Sequence, residues 1–108
     1  MSEIKKMTEE DLELICMEVI SNAGEGRAHV YSALDLYLKG EYKSAMDELE
    51  IADGHLQAAH DAQFQKLMKH QLNGGELPFH LLILHGLDLL MVSSAERDML
   101  KHIVMSKL

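Results

Sequence analysis

The sequence is short of the residues that cross-link, kink or anchor small proteins. Its 108 residues include one cysteine, one proline and no tryptophan. A single cysteine excludes a disulfide within the chain. Cys16 lies in an apolar helical pattern and is interpreted as a buried apolar residue rather than a redox group. The chain has few β-branched runs and is rich in Leu, Ala, Met, Glu and Lys. This composition favours helices over strands.

Charge and hydropathy exclude two classes of partner. Acidic side chains outnumber basic ones by 18 to 10, and no basic stripe is present that could displace counterions from a nucleic acid. The most apolar stretch, residues 77–92, contains His80, His85 and Asp88 and is too short and too polar to span a bilayer. The first residues lack the apolar core of a signal peptide. We therefore expect a cytoplasmic protein that neither binds nucleic acid nor inserts into a membrane.

The pattern of helix breakers predicts an all-α protein. Helices are expected at about residues 9–39, 41–71 and 79–107, within a single domain that covers residues 1–108. Short connections between long helices imply that consecutive helices run antiparallel. The expected architecture is therefore an antiparallel three-helix up-down-up bundle.

Local signals mark the ends of these helices. Thr8 precedes three acidic residues and has the position of an N-cap. Gly40 follows a lysine and suits a left-handed cap at the end of the first helix. Residues 73–78 form a loop rich in breakers. We expect Pro78 in the first turn of the third helix, where its missing N–H costs nothing.

Small residues in the first two helices raise a question that the sequence leaves open. Gly24 and Gly26 interrupt the first helix, and each costs about 1 kcal/mol relative to alanine in a helix interior. Either the helix bends there, or a neighbour packs closely against it, or a loop splits it. The apolar stripe of the second helix also contains many alanines and permits close approach; it comprises Ala45, Leu49, Ala52, Leu56, Ala59 and Leu67.

The third helix is too apolar for a small bundle to bury. Its apolar residues cover the whole circumference: Leu81, Leu82, Ile83, Leu84, Leu87, Leu89, Leu90, Met91 and Val92. A helix that is apolar all round is expected to be buried all round. Two neighbouring helices cannot achieve this, so self-association is expected, with symmetry copies covering the side that faces away from the bundle.

Two ionisable residues lie within the apolar segment of this helix, residues 81–92. His85 and Asp88 are three residues apart and therefore share a helix face. If that face lines a rotation axis, copies of Asp88 converge, and their repulsion must be relieved by protonation or a cation. A neutral imidazole near pH 7 suits nucleophilic acceptance of a phosphoryl group. A hydrogen-bonded core histidine is the alternative reading, and the spacing alone leaves both open.

The segment around His85 resembles a known family motif. His85-Gly86-Leu87-Asp88-Leu89-Leu90-Met91 is similar to His-[Gly/Ala]-Gln-Asp-His-Leu-Met of the lactose/cellobiose-type enzymes IIA of the sugar phosphotransferase system. The resemblance covers about residues 12–105. Four further segments resemble landmarks of that family in the same order, namely residues 22–27, 39–45, 59–63 and 75–78.

This resemblance implies an assembly and an activity. The protein would be a homotrimer that accepts a phosphoryl group on His85 from the histidine-containing phosphocarrier protein. It would pass the group to a cysteine of a cognate IIB protein, for uptake of lactose/cellobiose-type sugars. Asp88 would bind a divalent metal ion on the trimer axis, and its hard oxygen ligands point to Mg²⁺. His60 and Gln63, one turn apart, either line the pocket around His85, in part from a neighbouring subunit, or are exposed polar groups.

Three positions depart from the family pattern. The Gln and second His that flank the family's aspartate are Leu87 and Leu89 here, and the Ala before the arginine of the first helix is Gly26. The two leucines remove hydrogen-bond donors that could steady a phosphohistidine. The alternative function is therefore a non-enzymatic trimeric helical scaffold or a phosphorylation-dependent regulator.

A zinc or di-iron helical protein is disfavoured by the spacing of the seven histidines. The pairs His55/His60 and His80/His85 are five residues apart, whereas ligand pairs on one helix are three or four apart. No Glu-x-x-His sequence occurs, which disfavours a di-iron bundle.

Overall fold

The computed structural model describes residues 6–108, and its regular elements are all helical. Helix α1 spans Glu9–Leu38 and helix α2 spans Tyr42–Ala62. The chain continues from α2 through a π-helical segment, Gln63–Met68, into the short helix α3, Lys69–Leu72. Helix α4 spans Leu81–Met105. Within residues 6–108 there is no strand, only an isolated bridge between two loop residues, so the all-α prediction is confirmed.

The ends of α1 form as the sequence predicts. The Oγ1 of Thr8 accepts a hydrogen bond from the backbone N–H of Asp11 at 3.0 Å, which confirms the N-cap. At the other end Gly40 has a φ of 79°, a left-handed conformation that a side chain would strain. The N–H groups of Gly40 and Glu41 donate to the carbonyls of Tyr37 and Leu36, both at 2.9 Å. These bonds satisfy carbonyls in the last turn of α1 before α2 begins.

The two glycines of α1 have different surroundings. The helix runs without a break through Gly24 and Gly26, so no loop splits it. A Cβ on Gly26 would lie 2.8 Å from Cγ and Cδ2 of Leu56 and 3.3 Å from the carbonyl oxygen of Ala52. A Cβ on Gly24 would meet nothing within 4 Å. The open question is therefore answered at Gly26, where α2 packs too closely against α1 for a side chain to fit.

The core consists of three clusters along the bundle. The first joins the C-terminal part of α1, the start of α2 and the end of α4: Val30, Ala33, Ala45, Leu49, Ala52, Leu100 and Val104. The second lies in the middle: Val19, Ala23, Leu56, Ala59, Ala62 and Leu90. The third joins the start of α1, the π-helical segment and the start of α4: Leu12, Cys16 and Leu67, with Leu77, Leu82 and Ile83 against them. The predicted apolar stripe of the second helix is thus buried throughout.

The second helix contains a π-helical segment that was not predicted. An α-helix was expected to about residue 71, but residues 63–68 form a wider turn. Such a turn inserts one residue and rotates the following helix face. Ala62 and Leu67 are five residues apart and both remain buried as a result. The five-residue spacing of the apolar residues Ala62 and Leu67, in place of three or four, is the feature of the sequence that could have predicted the π-helical segment.

The third helix begins later than predicted. It was expected from residue 79 with Pro78 in its first turn, but α4 begins at Leu81 and Pro78 lies in the loop before it, so that placement was wrong. His80 has extended backbone, with a φ of −153°, and its Nδ1 accepts a hydrogen bond from the N–H of Leu82 at 3.2 Å. His80 is therefore the N-cap of α4, and its side chain accepts a hydrogen bond that a helix beginning at Phe79 would leave unmade. At its other end α4 stops at Met105, two residues earlier than expected.

Candidate functional site

His85 lies in the second turn of α4, where α4 crosses α1. The adjacent Gly86 is buried, and a Cβ there would lie 3.4 Å from Val19 and 3.6 Å from Ile20 of α1. His85 itself is exposed, so it is not a core histidine within the protomer. The contact at Gly86 holds this turn of α4 against α1 and leaves the imidazole accessible.

Asp88 lies one turn beyond His85 and is also exposed. Within residues 6–108, no hydrogen bond and no ion pair involves the side chain of His85 or of Asp88. Both groups are therefore free to meet another molecule or another copy of the chain. An unpaired carboxylate offers the hard oxygen donor that Mg²⁺ prefers, so Asp88 fits the chemistry of the expected metal.

The side of α4 that carries these two residues is otherwise mainly apolar and exposed. We call it the outer face; it comprises Leu81, Leu84, His85, Asp88, Met91, Val92, Ala95, Met99, His102 and Ile103. Leu81, Met91 and Met99 are each more than 65% exposed, at 69%, 68% and 69%. The inner face, which packs in the bundle, comprises Gly86, Leu90, Ser93, Leu100 and Val104. The protomer therefore buries only part of this apolar helix, as its composition predicted.

The apolar surface continues from the outer face onto α1. Tyr31 and Leu34 of α1 are exposed and line a shallow depression together with Met99 and Ile103 of α4. The combined surface spans two helices. Exposed apolar surface of this kind marks an interaction site.

An ion pair joins α1 to α4 beside this surface. The Nε and Nη2 of Arg27 donate to Oε1 and Oε2 of Glu96 at 2.7 and 3.1 Å. The Tyr31 hydroxyl lies 3.1 Å from Nη2 of Arg27 and belongs to the same network. The hydrogen bonds and charge of Glu96 raise the pKa of the Arg27 guanidinium, which keeps it charged. This arginine of the family-like segment therefore connects two helices within the protomer.

The structure does not bring His60 and Gln63 to His85 within one protomer. Gln63 lines an apolar groove between the π-helical segment and α4, whose wall includes Gly86 but not His85. His60 is exposed, stacks on the ring of Phe64 and lies 3.8 Å from a carboxylate oxygen of Asp61. No hydrogen bond among residues 6–108 links either residue to His85. Their role in a pocket around His85 stays a prediction.

The two leucines that replace polar family residues lie on the flanks of α4. Leu87 is half-buried and lines the groove that contains Gln63. Leu89 is half-buried and packs against the middle core cluster. Both flanks next to His85 are therefore apolar, and neither residue can donate a hydrogen bond to a phosphorylated imidazole.

Cys16 is buried, as the sequence predicts. It is 1% exposed and belongs to the core cluster at the start of α1. Burial raises the pKa of its thiol, which keeps it protonated and a poor nucleophile.

Sequence reasoning missed a second group of histidines, between α1 and α2. One donor atom from each of Glu25, His29 and His55 lies within 4.8 Å of the others. Histidines along a single helix are not spaced as ligand pairs, whereas this group draws on two helices. The available signal was the four-residue spacing of Glu25 and His29, which places them on one face of α1.

The described part of the chain contains no helix long and apolar enough to cross a membrane. This agrees with the sequence-based expectation for residues 77–92.

Comparisons with known proteins agree with the geometry. Residues 14–107 match the family model of the phosphotransferase system lactose/cellobiose-specific IIA subunit. The lactose-specific EIIA component of Streptococcus mutans serotype c is 31% identical over 98 residues, covering 91% of this chain and 93% of the relative. The corresponding Staphylococcus epidermidis protein is 26% identical over the same shares.

A solved structure shows the same fold. The crystal structure of PtcA from S. mutans superimposes with a TM-score of 0.88 at 28% identity, covering 92% of this chain and 96% of that one. With the family model matched over residues 14–107, the chain belongs to the lactose/cellobiose-specific IIA subunits of the phosphotransferase system.

Proposed function

We propose that this protein accepts a phosphoryl group on His85 from the histidine-containing phosphocarrier protein and passes it to a cysteine of a cognate IIB protein. Membership of the IIA family implies a phosphocarrier role in sugar transport. The observation that carries the assignment to His85 is its position, exposed on α4 and without a hydrogen-bond or ion-pair partner among residues 6–108. The proposed place of action is the cytoplasm, and the proposed transport is of lactose/cellobiose-type sugars.

The chemistry requires a nucleophile that two partners can reach in turn. A neutral imidazole nitrogen of His85 forms a bond to phosphorus as the nitrogen–phosphorus bond of the donor breaks. In the second step the sulfur of the IIB cysteine takes the phosphoryl group, and the imidazole is regenerated. The exposed setting of His85 permits both encounters, and the anchored Gly86 next to it fixes the helix turn that presents it.

The proposed assembly is a homotrimer of up-down-up bundles. The core clusters support the topology, because the start of α2 packs with the ends of α1 and α4. The outer face supports the assembly, because it exposes large apolar side chains that symmetry copies would cover. A three-fold axis along the outer face would bring the copies of Asp88 together.

Asp88 is proposed to hold a divalent cation, Mg²⁺, at that axis. The carboxylate has no partner within residues 6–108 and supplies a hard oxygen donor. A bound cation would neutralise the converging carboxylates. His60 and Gln63 are proposed to contribute to the pocket around His85 of a neighbouring protomer, since His60 is exposed and Gln63 lines the groove beside Gly86 in its own protomer.

The test is phosphoryl transfer from labelled phosphoenolpyruvate through the general phosphotransferase proteins. We expect acid-labile label on the wild type and none above background on His85→Ala. His102→Ala is the matched control, because His102 is also an exposed histidine of α4 but lies near its other end. Circular dichroism checks that each variant is folded. Label on His85→Ala equal to that on the wild type would refute the assignment.

A second function is favoured by the leucines on the flanks of His85. Without the polar groups of the family motif, the trimer would serve as a scaffold or a phosphorylation-dependent regulator that transfers slowly. Leu87→Gln with Leu89→His separates the two functions. If the wild type takes label but does not pass it to any IIB protein, and the double variant does, the protein is a regulator rather than a transport carrier.

A further inference from the structure

We propose that Glu25, His29 and His55 form a binding site for a divalent transition-metal ion of the Zn²⁺ type, separate from Asp88. One carboxylate oxygen and one nitrogen from each imidazole lie within 4.8 Å of one another. Ligands around a tetrahedral zinc at about 2.0–2.2 Å are a little over 3 Å apart. Glu25 is exposed, and the ring of His55 makes no hydrogen bond or ion pair among residues 6–108, so rotation of these two side chains can close the remaining gap.

A hydrogen bond orients the central ligand. The Nδ1 of His29 lies 2.6 Å from Oε2 of Glu48 on α2. A neutral imidazole that donates from Nδ1 keeps its lone pair on Nε2, and this carboxylate–histidine arrangement is the usual support of a metal-bound histidine. His29 is half-buried, and the bond fixes both the tautomer and the direction of the ring.

The bundle itself sets the distance between the ligands. Glu25 and His29 share a face of α1 because they are four residues apart, and His55 comes from α2. Gly26 and Leu56, the immediate neighbours of Glu25 and His55, pack closely, since a Cβ on Gly26 would lie 2.8 Å from Leu56. The rings of His29 and His55 stack at 5.4 Å with an interplanar angle of 5°. Because a bound ion lies in the plane of each imidazole that coordinates it, the ring of His55 must turn while Glu48 holds that of His29. A tightly packed part of the bundle therefore holds the three donors together.

The donor set selects the class of metal. Two imidazoles and one carboxylate suit Zn²⁺ and its first-row neighbours, whereas Mg²⁺ prefers oxygen ligands alone. Three protein ligands leave a fourth position for water. The net charge of −8 favours the approach of a cation. Bound metal would connect α1 to α2 and would stabilise the folded chain.

The stoichiometry distinguishes this site from the one proposed at Asp88. Each chain carries its own Glu25, His29 and His55, so we expect one ion per chain. An ion on a three-fold axis is shared, so the site at Asp88 would bind one ion per three chains. The Asp88→Asn variant should therefore keep the one-per-chain site, whether or not the proposed phosphocarrier function holds.

The test is a titration of the full-length, metal-stripped protein with Zn²⁺, followed by calorimetry, and with Co²⁺, followed by visible absorption. We expect saturable binding of one Zn²⁺ per chain, intense absorption of tetrahedral Co²⁺, and a rise in Tm of about 5 °C or more at excess Zn²⁺. His29→Gln and His55→Gln should each weaken binding at least about tenfold. His102→Gln is the matched control and should bind as the wild type does.

Two results would overturn the proposal. One is the absence of saturable Zn²⁺ binding to the folded wild type, which would leave His29 and Glu48 as an ordinary hydrogen-bonded pair. The other is one Zn²⁺ per chain on the folded double variant of His29→Gln and His55→Gln with unchanged affinity. Circular dichroism of each glutamine variant confirms that lost binding is not lost folding.

Discussion

The inner and outer faces of α4 are both apolar, yet only one of them is covered within the protomer. The inner face packs Gly86 and Ser93, together with two leucines and a valine, against α1 and α2. The outer face exposes leucine and methionine side chains, including Leu81 and Met91, and carries His85. The inner face thus contributes to the core of one chain, and the outer face is the surface of α4 that is available to bind other molecules or other copies of the chain.

This difference explains why the ionisable residues lie where they do. A carboxylate on the inner face would be desolvated without a partner, which is costly. On the outer face Asp88 is solvated in the protomer and would be confined only by the proposed assembly of copies. Assembly, metal binding and phosphoryl transfer are therefore proposed for the same face, and substitutions there should affect function without unfolding the protomer.

The largest expected effect is loss of the proposed trimer when a charge is placed on the outer face. Met91→Glu would place three further carboxylates in the apolar contact between copies, where each is desolvated. We expect the sedimenting mass to fall from three chains to one, with helical content unchanged by circular dichroism. Ser44→Glu on the exposed side of α2 is the control and should remain trimeric. A trimeric Met91→Glu variant would show that the outer face is not the interface.

The next largest effect is on the free energy of unfolding, which substitutions on the inner face should lower far more than substitutions on the outer face. Leu90 is 6% exposed in the middle core cluster, whereas Leu84 is 50% exposed. In the monomeric Met91→Glu background, Leu90→Ala should reduce the free energy of unfolding by about 2–5 kcal/mol, because it leaves a cavity. Leu84→Ala should change it by no more than about 0.5 kcal/mol in that background. Urea unfolding measures both, and similar losses at the two positions would contradict the assignment of faces.

The sequence was sufficient for those parts of the fold that depend on neighbours along the chain. The N-cap at Thr8, the left-handed Gly40 and the apolar stripe of α2 follow from local rules and are confirmed. The same holds for the placing of His85 and Asp88 on one helix face.

The features that sequence reasoning missed depend on contacts between segments or on unusual local geometry. His80 caps α4 through a side-chain nitrogen, although histidine is not among the preferred N-cap residues. The wider turn at residues 63–68 is marked only by a five-residue gap between buried positions. The approach of His55 to His29 depends on how α2 packs against α1, which no pattern within either helix contains.

A smaller effect is expected where α1 meets α2. Gly26→Ala gains up to about 1 kcal/mol in helix propensity, but its Cβ would lie 2.8 Å from buried Leu56. Overpacking of this kind costs about 1–3 kcal/mol. We expect a net loss of about 1 kcal/mol in the free energy of unfolding, measured with urea. Gly24→Ala is the control, because its Cβ meets nothing within 4 Å; it should gain about 0.5–1 kcal/mol.

The smallest effect is expected on the inner face next to His85. A Cβ on Gly86 would lie 3.4 Å from Cγ1 of Val19, an ordinary contact, so Gly86→Ala keeps the packing of α4 on α1 and gains helix propensity. We expect the free energy of unfolding to rise by less than about 1 kcal/mol in urea, and His85 to take label at the wild-type rate. A loss of stability comparable to that of Gly26→Ala would mean that a Cβ at residue 86 clashes with Val19, and so that α4 packs more closely on α1 than the 3.4 Å contact indicates. Unchanged stability with slower labelling would instead mean that the bare backbone at Gly86 is needed by the phosphoryl donor, which would extend the site from the outer face to the edge of the inner one.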